Sequence, residues 1–61
     1  EGVMRLLRDV EKFLRRTGMR PTRFGRIVAA DPRLVFDMRQ GREPRLILAR
    51  KIEAYLKEAG Q

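Results

Sequence analysis

Guanidinium groups dominate the reactive chemistry of this sequence. Of its 15 cations 12 are arginine, set against 8 carboxylates, for a net charge of +7. A guanidinium is permanently charged and presents its donors as a planar fork, which suits phosphate oxygens, carboxylates and guanine edges. The charge is unevenly placed. Between Arg15 and Lys51 there are 11 basic and 3 acidic residues, and elsewhere 4 basic and 5 acidic. An electropositive middle favours a polyanionic partner; the alternative is a merely solvated, arginine-rich surface. Catalytic groups are scarce. The absence of His and Cys removes the usual general base and the commonest metal ligands. The central acids are Asp31, Asp37 and Glu43, and Asp31 is needed as a helix cap. No glycine-rich phosphate loop or nucleophile–base pair can be assembled. A binding protein is therefore expected, not an enzyme, with no metal and no cofactor.

Sixty-one residues make one small domain, which hides only about 60% of the surface its unfolded chain exposes. Without disulfides, the natural solution is a compact helical bundle, with self-association as a further support. The longest apolar runs, 27–30 and 46–49, fall far short of the roughly 20 residues a membrane-spanning helix needs. No secretory signal is visible, and the lack of Cys fits a cytoplasmic protein. The chain opens on Glu1-Gly2 without Met, so the single domain over 1–61 is expected to be a fragment of a longer chain.

The elements that must position these arginines follow from punctuation and period. Gly18, Pro21, Pro32, Gly41 and Pro44 divide the chain into four helical pieces, at about 3–17, 21–28, 32–40 and 44–59. In the first, Leu6, Leu7, Val10, Phe13, Leu14 and Thr17 recur at steps of three and four, an apolar stripe bound for the core. Gly18 stands where a left-handed helix end is wanted. Pro21 suits the first position of the second piece, whose Phe24, Ile27 and Val28 share a face. Asp31 and Pro32 form the clearest start signal, a cap followed by a prearranged first residue. Val35 and Met38 point inward from the third piece, and Gly41 ends it. Leu48, Ile52, Tyr55, Leu56 and Ala59 make the stripe of the fourth, with Tyr55 as a packing residue and Gly60 as the stop. No segment alternates with period two, so the fold class is all-α.

Two short central helices joined by three residues, Ala29-Ala30-Asp31, are marginal alone and must be packed together and held by the outer pair. A short turn between short helices is a helix-turn-helix. The stretch from Gly18 to Gly41 resembles, without a gap, the phage repressor and Cro-type (lambda-repressor-like, XRE-like) helix-turn-helix family. Phe24-Gly25 match its apolar residue followed by Ala or Gly, and Val28 and Ala30 its apolar positions around the turn. Val35 and Met38 match the inward pair of its recognition helix, Gly41 its closing glycine, and Val10 and Phe13 its preceding helix. Gly25 would let the recognition helix approach closely. Two positions depart: Ala29 occupies the usual turn glycine, and Arg20 the usual Ser or Thr cap.

The resemblance implies sequence-specific binding of double-stranded DNA by a bacterial or phage-derived transcription regulator, with the recognition helix in the major groove. By family position, Pro32, Arg33, Leu34 and Asp37 are the base-reading candidates. Arg33 leads, because its fork can bond both guanine acceptors. Asp37, one turn beyond, is placed to orient Arg33, to accept from a cytosine amino group, or to form an ordinary surface ion pair with Arg33. Arg20 stands where family members commonly hold a phosphate, with Thr22 and Arg23 nearby, and Arg42 and Arg45 fall in the loop that follows the DNA backbone. Phe36 lies about 100° off the inward face; packing back on the fourth helix is favoured over a thymine methyl or a second subunit.

Other classes stay open. RNA binding usually brings exposed aromatics, and here there are only three Phe and one Tyr, most of them assigned to the core. A protein-interaction module would use Leu46 and Ile47, off the main stripe of the fourth helix. The same residues suit a homodimer or a transcription-machinery partner. A membrane-surface peptide fits poorly with caps and turns at every boundary.

Overall fold

The computed structural model describes residues 2–60, with side chains from Arg5 to Gly60, so the ends of the domain expected over 1–61 lie outside the described residues. The chain folds as four helices: α1 (Gly2–Thr17), α2 (Pro21–Ala29), α3 (Leu34–Arg39) and α4 (Leu46–Glu58). No strand occurs among the described residues, and the expected all-α, four-helix fold stands. No described helix is long and apolar enough to cross a membrane. The fold measures 23 × 19 × 17 Å.

The amphipathic stripes meet in one core. Leu6, Val10, Phe13 and Leu14 enter it from α1, Phe24 from α2, Leu34, Val35 and Met38 from α3, and Ile52 and Leu56 from α4. Phe13, Phe24 and Tyr55 form a triangle of rings with centroids 5.6–5.8 Å apart, two of the three pairs edge-to-face. Such pairs add about 0.5–1.5 kcal/mol each beyond the area they bury, and this set ties α2 to both outer helices. Thr17 departs from its expected place in the stripe. Exposed at the end of α1, its hydroxyl donates to the Phe13 carbonyl (2.8 Å) and accepts from the Met19 amide (3.2 Å). Ala59, expected in the α4 stripe, is also exposed.

The turn between α2 and α3 is the tightest part of the fold. α2 continues to Ala29, one residue beyond expectation, and Ala30 takes the left-handed conformation (φ 54°, ψ 32°). The positive φ therefore falls one position after Ala29, where the family resemblance places it. The Ala30 amide donates to the Arg26 carbonyl (3.0 Å) and the Asp31 amide to that of Gly25 (3.1 Å). Gly25 is buried against this turn. A β-carbon there would overlap the Asp31 carbonyl oxygen and stand 3.2 Å from the Leu34 β-carbon.

The Asp31 carboxylate accepts the Arg33 amide (2.9 Å), and its carbonyl accepts the Leu34 amide (3.2 Å). Asp31 thus caps as expected, but Pro32 and Arg33 form a turn and α3 proper starts only at Leu34. At the other end, the Gly41 amide donates to Met38 (3.0 Å) and the Arg42 amide to Asp37 (3.0 Å), with Gly41 at φ 99°. This is the paired-bond helix ending that a glycine permits. α4 begins two residues later than the Pro44 start expected from sequence, at Leu46.

Candidate nucleic-acid interface

α3 presents a face set by its own roll. Successive helical residues turn by about 100°, and with Leu34, Val35 and Met38 all buried the opposite side carries Arg33, Phe36 and Gln40. Leu34 is the clear correction to the base-reading set. It is only 4% exposed, packed beneath Gly25 in the core, and has no surface to offer a base. Pro32 and Arg33 are exposed as expected. Among the described residues the Arg33 side chain makes no hydrogen bond or ion pair, so its full fork is available.

Asp37 does not pair with Arg33. Its carboxylate accepts from Arg42 Nη1 at 2.7 Å, while its carbonyl accepts the Arg42 amide. The chain reversal at Gly41 brings Arg42 back over the end of α3, and that contact displaces the i, i+4 pairing. Asp37 and Arg42 therefore form one unit: Asp37 is half-buried and occupied, and Arg42 is exposed but already neutralised.

Phe36 corrects another expectation. Instead of packing onto α4 it is 43% exposed, with the Arg39 guanidinium 5.6 Å from its ring centroid. Arg39 in turn grips Glu11 of α1 with two bonds, Nε to Oε2 at 2.6 Å and Nη2 to Oε1 at 2.8 Å. The Arg39 hydrogen bond holds the Glu11 carboxyl below the ordinary glutamate value against the opposing pull of partial burial, and the Arg39 and Arg15 charges add to the lowering. The same bond raises Arg39.

The other expected anion contacts gather at helix starts. Arg20, Thr22 and Arg23 line one open cleft of about 480 Å³ at the start of α2, together with Gly18, Met19 and Arg26. Arg20 occupies the cap position but gives no side-chain cap. Arg26 was not among the expected contacts. Its spacing of three from Arg23 was the signal for it, since such residues share a helix face. Arg45 lines a second cleft of about 350 Å³, with Lys51, Asp31, Ala29, Ile47 and Leu48, where α4 begins beside the end of α2. Among the described residues Arg20, Arg23, Arg26, Arg33 and Arg45 make no ion pair. These guanidiniums flank α2–α3 and are free to meet an anion, and among the described residues no group of acids is arranged to hold a metal ion.

Comparison of the chain with protein-family models, with curated proteins and with solved structures returns no match in any of the three.

Proposed function

We propose that this chain binds double-stranded DNA through α2 and α3, with α3 lying in the major groove and the flanking arginines on phosphates. The observation that carries the reading is the pairing of a tight α2–α3 turn, closed against the buried Gly25, with unpaired guanidiniums on both sides of it. α3 is six residues long, about 9 Å, and its outward side chains are few enough to address a short run of base pairs. Arg33 at its head bonds a guanine edge, and Pro32 packs beside it. Arg20, Thr22, Arg23 and Arg26 take phosphates on one side and Arg45 on the other, which sets register without reading sequence. Arg42 supports the end of α3 through Asp37 and contributes a weaker phosphate contact.

Binding of this kind suits a bacterial or phage-derived transcription regulator acting on the chromosome in the cytoplasm, by occupancy and not by catalysis. A protein contact is favoured by a separate observation: Leu46 and Ile47, in the first turn of α4, are 66% and 73% exposed. A second copy of the chain or a component of the transcription machinery would cover them.

The test is a titration of wild type and single variants against a selected duplex and its scrambled counterpart at several salt concentrations. Arg33→Ala should lose about 1–3 kcal/mol on the selected site and relax one base preference. Arg20→Ala, Arg23→Ala and Arg45→Ala should weaken both duplexes alike and lower the slope of log affinity against log salt by about one unit each. If no variant changes affinity for either duplex, DNA is not the ligand and the α4 surface becomes the functional one.

A further inference from the structure

We infer that Phe36 is a fixed aromatic probe for the 5-methyl group of a pyrimidine, thymine or 5-methylcytosine, beside the base pair met by Arg33. The inference rests on the DNA-binding reading and names the chemistry that its recognition helix selects.

Phe36 sits in the middle of the outward face of α3. Arg33 lies one turn before it and Gln40 one turn after, both exposed, so a hydrogen-bonding side chain flanks the ring on each side. The core of α3 is complete without it: Leu34, Val35 and Met38 are its buried residues. An exposed Phe on a six-residue helix is therefore not explained by packing.

The ring is also held. Arg39 covers it at 5.6 Å, and Arg39 is fastened to Glu11 on α1 by two bonds of 2.6 and 2.8 Å. Glu11 and Arg39 are 28 residues apart in sequence, so the clamp depends on the folded domain. It spends the Arg39 charge on Glu11 and leaves Arg39 as a positioning residue, not a phosphate ligand. A ring ordered before binding loses less freedom when it docks.

The major groove offers one apolar group to such a ring, the C5 methyl of thymine; methylated cytosine places the same group there. The neighbours of Phe36 favour DNA over a protein partner. They are Arg33 and Gln40, whereas the more exposed aliphatic residues, Leu46 and Ile47, belong to α4.

The experiment uses a fluorescein-labelled duplex recovered from a random pool by wild type, with each thymine in turn replaced by deoxyuridine. That replacement removes the methyl and keeps every hydrogen-bonding group. At one position it should weaken wild type about three- to five-fold, the scale of one buried methyl. Phe36→Ala should lose a similar factor on the thymine duplex and bind both duplexes equally, while circular dichroism confirms its fold. Glu11→Gln should narrow the thymine preference by releasing Arg39 from the clamp that holds the ring. If wild type is indifferent to every deoxyuridine, or Phe36→Ala keeps the preference, the inference is overturned while DNA binding stands. Selection without a consensus overturns it likewise. If Phe36→Ala turns a dimer into a monomer and leaves the preference intact, the residue is a subunit contact. No binding to any duplex would remove the DNA-binding reading itself.

Discussion

Replacing Gly25 with Ala separates local preference from tertiary constraint, because the two predict opposite signs. Gly25 lies within α2, where Ala is the better helix former by about 1 kcal/mol; helix propensity alone therefore predicts a more stable protein. The fold predicts the reverse. The new methyl would press on the Asp31 carbonyl oxygen inside the 3.0 Å that real β-carbons essentially never breach, and would crowd the Leu34 β-carbon at 3.2 Å. Asp31 is a poor residue to move. Its amide donates to Gly25, its carbonyl accepts from Leu34, and its carboxylate accepts from Arg33. Overpacking costs typically 1–3 kcal/mol, and each backbone bond lost a further 0.5–1.5 or so. After the propensity gain, the net loss is about 2–4 kcal/mol. A chain of this length holds roughly 3–9 kcal/mol in total, so Gly25→Ala should lower Tm by on the order of 15–30 °C. Thermal unfolding followed by circular dichroism measures this directly. An unchanged or higher Tm would show that the turn does not lie against Gly25 and would refute the α2–α3 arrangement.

Ala30 offers the converse change. Its φ of 54° costs an L-residue about 1–2 kcal/mol, so Ala30→Gly should raise stability by on the order of 0.5–1 kcal/mol once the unfolded-state entropy of glycine is subtracted; chemical denaturation reads the shift, and a loss would contradict the left-handed turn. Glu11 has a lowered folded pKa, so its contribution is complete above the ordinary glutamate value and disappears as pH falls through the lowered one. The stability gap between wild type and Glu11→Gln should accordingly close below the glutamate range, and a gap independent of pH would count against the Arg39 clamp. The pair is partly exposed, so the gap at neutral pH should be small and should shrink in salt.

Sequence by itself determined the helices and most of the core. The stripe Leu6, Val10, Phe13 and Leu14, the inward Phe24, Val35 and Met38, and the α4 pair Ile52 and Leu56 are legible because helical period is a local property. Asp31 and Gly41 are legible for a related reason, since caps act within a few residues of themselves. Tertiary structure decided the roll of α3. With adjacent apolar residues at 34 and 35, so short a helix has more than one face it can bury, and only contact with Gly25 and the core turns Leu34 inward and Phe36 outward. Helical spacing of four pairs Asp37 with Arg33; the reversal at Gly41 overrides that spacing by carrying Arg42 back onto the carboxylate. The bond from Glu11 to Arg39 spans 28 residues and exists only because α1 and α3 are brought together. Proximity of that kind is produced by burying apolar surface, which pattern alone specifies for each helix but not between helices.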